Sequence, residues 1–160
     1  MPARRTDVVV NAGPLIALDA CGQIDILRQL HSRVIVPEAV ASEVKRKPLE
    51  LGAWPDWIEI HKVPNSPSAF LLAMLDLGEA QVIMLAGDLG CELAIIDERK
   101  GRSMARTVGI EVTGTLGLLL RAKRLRLLSQ VRPCLSAMRV KGVWIADHLE
   151  QLVLREAGEG

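Results

Sequence analysis

The sequence predicts an α/β fold built on a parallel, doubly wound sheet, and three observations carry that reading. The short runs Val8-Val9-Val10, Val34-Ile35-Val36 and Leu93-Ala94-Ile95-Ile96 are apolar throughout rather than alternating, as strands covered on both faces are. Segments with helical periodicity separate them, in the order that right-handed βαβ crossovers require. With one Phe, three Trp and no Tyr in 160 residues that are 49% hydrophobic, the core has to be built from Leu, Ile, Val and Ala, which suits helices laid on such a sheet.

Each element follows from local chemistry. The first strand ends in Asn11, and Gly13-Pro14 opens an apolar helical stretch, Leu15 to Ala20, that Gly22 closes. A short helix from Ile24 to Leu30 leads into the strand 34–36, which Pro37 stops while starting the next helix. In the helix Glu38 to Lys45, Val40 and Val44 share a face at a spacing of four, and Glu43 borders that buried side. Pro48, Gly52 and Pro55 make residues 45–56 a loop, and Ile58, Ile60 and Val63 suggest a minor edge strand. Ser66 to Leu77 and Glu79 to Leu89 read as two helices hinged at Gly78, with Leu72, Leu75, Val82, Ile83 and Leu85 supplying core contacts. The strand 93–96 ends abruptly in Asp97-Glu98-Arg99-Lys100. A helix carrying Met104 and Val108 stops at Gly109, and Ile110 to Val112 gives one more short strand. From about residue 115 onward the pattern is helical, with Leu116, Leu119, Leu127, Leu128, Leu135 and Met138 among the packing residues and a last amphipathic helix from Ile145 to Glu156.

The length fits a single domain over residues 1–160, large enough for a core without disulfide or metal staples. A net charge of +1 argues against a polybasic coat for nucleic acid, so any such site has to be local. Cys21, Cys91 and Cys134 have neither disulfide-framework nor zinc spacing, which points to a reducing cytoplasm. Acidic residues interrupt the most apolar region, so no membrane-spanning helix is expected. Arg4 and Arg5 ahead of a stretch ending in Leu18-Asp19-Ala20-Cys21 loosely mimic a lipoprotein signal, but Asn11, Pro14 and Asp19 are poor chemistry for one.

In open α/β sheets the ligand sits beyond the carboxyl ends of the strands, where strand order reverses. Asn11 and the pair Asp97-Glu98 follow strands, while Glu43 and Glu79 lie on crossover helices mapping to the same edge. A carboxylate cluster without His or Cys suits a hard cation, Mg²⁺ or Mn²⁺, and its matching reaction is metal-assisted phosphodiester hydrolysis. Each residue also has a plainer reading: Asp97 as a helix N-cap, Glu79 as a complement to a helix dipole, Glu43 as a solvated helix residue. There is no nucleophile elbow, no P-loop and no dinucleotide fingerprint, so no nucleotide cofactor is expected; His31, His61 and His148 are too scattered for a triad. Between Glu111 and Asp147 the chain has no acidic residue but carries Arg121, Lys123, Arg124, Arg126, Arg132, Arg139 and Lys141, which suits either a solvated helix face or a phosphate backbone. Arg99, Lys100, Arg102 and Arg106 add positive charge beside Asp97.

Val10-Asn11-Ala12-Gly13-Pro14-Leu15-Ile16 resembles the D-T-S-P-L-I opening of the PIN-domain family, in its branch of short prokaryotic predicted nucleic-acid-binding proteins. The likeness continues in order through Val36-Pro37, Glu43-Val44, Gly78-Glu79-Ala80, Ile95-Ile96-Asp97 with Arg102 and Ala105, and Val112 to Leu119, and so covers nearly the whole chain. This resemblance implies a three-layer α/β/α sandwich with a mostly parallel sheet of about five strands. It also implies Mg²⁺- or Mn²⁺-dependent cleavage of RNA, often as the toxin of a toxin–antitoxin pair. Carried over by residue, it implies Asn11, Glu79, Asp97 and Glu98 at the metal, Glu43 as ligand or orienter of the attacking water, and Arg102, with Arg106 and Thr115, at the nucleic acid. Where the family has its first Asp this chain has Asn11, whose amide brings no negative charge, and Ala12 and Gly13 replace hydroxyl residues. The expectation is a slow endoribonuclease, homodimeric and held in check by a small antitoxin protein. The alternative is a non-catalytic PIN-like module that binds RNA or protein through the same cleft. A third option, a Mg²⁺ phosphohydrolase of small molecules, fits the basic helical region less well.

Overall fold

Three consecutive β-branched residues favour extended backbone, and here they are also wholly shielded: Val8, Val9 and Val10, strand β1, are each 0% exposed. They form the centre of the sheet in a computed structural model that describes residues 6–160. The other strands are β2 (Val34–Pro37), β3 (Ile58–His61), β4 (Leu93–Ile95) and β5 (Glu111–Thr113). All pair in parallel in the order β3-β2-β1-β4-β5, with Val9 opposite Ile35 on one side and Val10 opposite Ile95 on the other. From β1 the chain first winds outward to β2 and β3, then crosses back to β4 and β5, so strand order reverses between β1 and β4.

The helices are α1 (Ala12–Ala20), α2 (Ile26–Leu30), α3 (Glu38–Lys45), α4 (Ala69–Met74), α5 (Leu77–Leu89), α6 (Arg99–Thr107), α7 (Thr115–Arg124), α8 (Arg132–Val140) and α9 (Asp147–Glu156). α1 packs on α7 and α8, and α2 on α7, while α5 packs on β1, β2, β4 and α6, giving the α/β/α layers. Because a crossover helix returns antiparallel to its strands, α1, α3, α5, α6 and α7 all begin at the carboxyl edge of the sheet. Leu15 and Leu18 of α1 are 0% exposed, and each such burial contributes about 1.5–3 kcal/mol. The segment that mimics a signal is therefore part of the core; Arg4 and Arg5 lie outside the described residues. Among the described residues no helix is long and apolar enough to cross a membrane.

Several local expectations are corrected. The break between α4 and α5 falls at Leu75-Asp76, and Gly78 lies inside α5. Asp76 accepts from the Glu79 N–H (2.8 Å) while Glu79 accepts from the Asp76 N–H (3.1 Å), a reciprocal box whose N-cap stands two residues before the glycine. Leu72 is 46% exposed and Leu127 40%, so neither is a core residue. The C-terminal cations are partly spent on structure. Lys123 binds Glu159, whose carboxylate also accepts from the Val131 and Arg132 N–H groups (2.8 and 3.0 Å) and so ties the tail to the start of α8. Arg139 binds Asp147 and Glu150, and Lys141 binds Glu50.

Candidate active site

Asn11 leaves β1 at the point of strand reversal, and its N–H donates to Ile95 O across to β4 (3.0 Å). It is 5% exposed and occupies the N-cap position of α1, yet its side chain makes no capping hydrogen bond. Just past the end of the adjoining β4, Asp97 accepts both hydrogens of Thr115, the hydroxyl on Oδ2 (2.6 Å) and the backbone N–H on Oδ1 (2.7 Å). Gly114, the N-cap of α7, has no side chain to offer, so Asp97 caps that helix from a different loop. A Cβ on Gly114 would stand 2.7 Å from both Asp97 Oδ1 and Arg102 Nη1, whereas one on Gly13 would stand an ordinary 3.7 Å from Asp97 Oδ2. Arg102 donates to Ile96 O (3.3 Å), which holds its guanidinium beside the same carboxylate.

A second group of acids gathers around the start of α5. Gly78 separates Glu43 from Asp76: a Cβ there would lie 3.3 Å from Glu43 Oε2 and 3.5 Å from Asp76 Oδ1. Glu79 is 7% exposed, with its Oε2 against Gly101 of α6 (3.1 Å from a would-be Cβ), a close approach that only glycine allows. Burial pushes the Glu79 carboxyl above its ordinary value; the Asp76 N–H bond works against that, and the charges of Asp76 and Glu98 add to it. Burial likewise raises Glu43, followed by the charge of Asp76, with Lys47 and Arg46 opposing. Asp76 is the residue that sequence reasoning missed. Its signal was the Asp-x-x-Glu spacing ahead of an apolar helix.

The carboxyl edge of the sheet thus carries Asn11 at the end of β1, Asp97 and Glu98 between β4 and α6, and Glu43, Asp76 and Glu79 around the start of α5. Thr115, expected at the nucleic acid, is 3% exposed and gives both its hydrogens to Asp97. Arg106 sits in the last turn of α6, about 10 Å further along the helix axis than Arg99. Among the described residues no three Asp, Glu, His or Cys side chains stand close enough together to form a ready ligand set. The donors are nevertheless all oxygens, and two of them, on Glu43 and Glu79, are desolvated carboxyls that a positive charge would relieve. That chemistry fits a hard divalent cation.

Residues 7–159 match the sequence model of a family described as a PIN domain. No curated protein matches the chain. PIN domains have a nuclease-type fold and generally work with divalent metals. The five parallel strands, the reversal between β1 and β4 and a match over nearly the whole sequence lead to one assignment: this chain belongs to the PIN-domain family.

Proposed function

We propose that the protein is a Mg²⁺- or Mn²⁺-dependent endoribonuclease whose activity is reduced by Asn11. The observation that carries this reading is Asp97, held at both oxygens by Thr115 and set against Gly13 at the start of α1, where strand order reverses, with the buried Glu79 at the same edge. When bound, the cation supplies the charge that lowers the pKa of a water and neutralises the leaving oxygen. Asp97 and Glu79 would hold it, with Glu98 nearby and Asn11 offering an uncharged amide oxygen. Glu43 serves as a further ligand or orients the attacking water, and its raised pKa suits it to accept a proton. Arg102, beside Asp97, receives the phosphate. In the cytoplasm the protein would work as the toxin of a toxin–antitoxin pair and as a homodimer. The exposed apolar side chains of α4, Phe70 (67%), Leu72 and Met74, support a covering partner such as a small antitoxin.

An RNA cleavage assay in Mn²⁺ and in Mg²⁺ tests the enzyme directly. Wild type is expected to cleave slowly, Asn11→Asp faster, and Asp97→Ala not at all; equal rates for Asp97→Ala and wild type would refute the catalytic reading. Asn11 also favours a second reading, a non-catalytic RNA- or protein-binding module, because a neutral amide stands where the family carries a carboxylate. Cleavage by Asn11→Asp alone would assign the natural protein to that class.

A further inference from the structure

Between α3 and the loop that follows it lies a cavity of about 370 Å³, separate from the carboxylates and within the size range of small-ligand sites. Its walls combine two kinds of chemistry. Trp54, Leu49 and Leu51 form an apolar, partly buried floor, and Lys45 and Lys47 stand exposed at the rim. The loop is firmly built. Asp19 of α1, 7% exposed, spends both carboxylate oxygens on it, accepting from the Glu50 and Leu51 N–H groups at 3.0 Å each. Gly52 makes the turn at φ +68°, a conformation that side chains disfavour, and Trp54 and Leu49 pack on the core.

Helix α3 connects this cavity to the proposed active site. The rim lies just past the end of α3, where the Arg46 N–H donates to Glu43 O (3.2 Å), so the last turn of that helix joins the cavity to Glu43. Many cations elsewhere are spent, as Lys123, Arg139 and Lys141 are, and Glu50 of this same loop is paired with Lys141. Lys45, Arg46 and Lys47 make no ion pair among the described residues. An aromatic floor with unpaired cations at its lip is the arrangement that holds single-stranded nucleic acid, the ring stacking on a base and the cations meeting the phosphates.

We propose that this cavity is a nucleobase subsite for single-stranded RNA, with one base stacked on Trp54 and the adjoining phosphate on Lys45 and Lys47 at the rim, so that the strand leads on toward Glu43. The subsite deepens the ribonuclease reading and rests on it for the identity of the polymer. A base paired in a duplex has its faces covered by its neighbours, so an A-form helix cannot use the pocket. Stacking is tolerant of sequence, and the subsite therefore selects strandedness rather than a particular base.

The test is fluorescence anisotropy of a labelled single-stranded RNA titrated with the full chain in EDTA, where binding is read without cleavage. Trp54→Ala is expected to weaken binding on the order of ten-fold, as loss of one base stack does. Trp54→Phe should restore most of it, and Trp144→Ala, altering a tryptophan 85% exposed on another surface, should change nothing. Because Trp54 also packs on the core, the exposed Lys47→Glu supplies a second arm that leaves the fold intact; it too should weaken single-strand binding and make its loss with salt shallower, since one fewer phosphate contact releases fewer counterions. Wild-type affinity in both Trp54→Phe and Lys47→Glu, with Trp54→Ala folded and equally tight, overturns the subsite even if the enzyme cleaves RNA in Mn²⁺. Trp54-dependent binding without any cleavage in Mn²⁺ upholds the subsite and refutes the nuclease reading. A change of oligomeric state in Trp54→Ala by sedimentation, with RNA affinity unchanged, assigns the cavity to a second copy of the chain and overturns the proposal.

Discussion

Asp97 illustrates how one side chain can serve two purposes. Its carboxylate caps α7 in place of Gly114 and is thereby fixed against the start of α1, 3.7 Å from where a Cβ on Gly13 would stand. The position of Asp97 at a strand end was legible in the sequence, because an acid after an apolar run can be seen there. Its partner was not: Thr115 lies eighteen residues on, and nothing in the intervening sequence says that the two loops meet. Gly114 is the sharper test of this arrangement. Gly114→Ala should cut RNA cleavage at least ten-fold, because the new methyl would sit 2.7 Å from both Asp97 and Arg102. Gly13→Ala should leave cleavage unchanged and raise stability by about 0.5 kcal/mol, since its Cβ meets ordinary contacts and alanine is the better helix former. Cleavage rates with urea unfolding of the same two variants check both halves.

At the scale of elements, the start of α5 decides how the acidic side of the cleft is built. The sequence pattern favoured a hinge at Gly78, as glycine often marks helix breaks, but the reciprocal bonds of Asp76 and Glu79 begin the helix earlier and leave Gly78 to let Glu43 approach. Asp76→Ala should destabilise the fold by about 1 kcal/mol through loss of the cap, and Asp76→Asn should keep most of that stability. Both variants remove the charge that helps raise Glu43 and Glu79, so the two carboxyls should titrate closer to their ordinary range, as NMR of the labelled side chains would read. The one-signed run from 121 to 141 left two readings open at the sequence level. Ion pairs of Lys123, Arg139 and Lys141 with acids as distant in sequence as Glu50 resolve three of those cations as structural.

For the whole molecule, stability should depend on pH through groups of opposite sign. His31 is 1% exposed, donates from Nδ1 to Leu27 O (3.0 Å) and has no partner at Nε2 among the described residues; burial lowers its pKa from 6.5 to about 4. The unfolded chain therefore takes up a proton below pH 6.5 that the folded chain refuses until about 4. Stability contributed by neutral His31 is complete above 6.5 and is lost as pH falls through that window, by on the order of 3 kcal/mol. Glu43 and Glu79 act oppositely: their raised carboxyls cost stability at neutral pH, and that cost fades as pH falls through their folded values. Urea unfolding between pH 8 and pH 4 should show a net loss in wild type that shrinks or reverses in His31→Phe. Equal slopes for the two proteins would refute the assignment to His31.

The sequence alone determined the elements and the family, because strand and helix propensity, turn chemistry and apolar periodicity act between residues close along the chain. It also placed Asn11, Glu79 and Asp97 near strand and helix ends. Only tertiary structure decided the strand order, the turning of Thr115 onto Asp97, the grouping of Asp76 with Glu43 and Glu79, and the cavity over Trp54. Those features depend on which distant surfaces pack together. That choice is set by the summed burial of the whole core, and no local stretch of sequence records it.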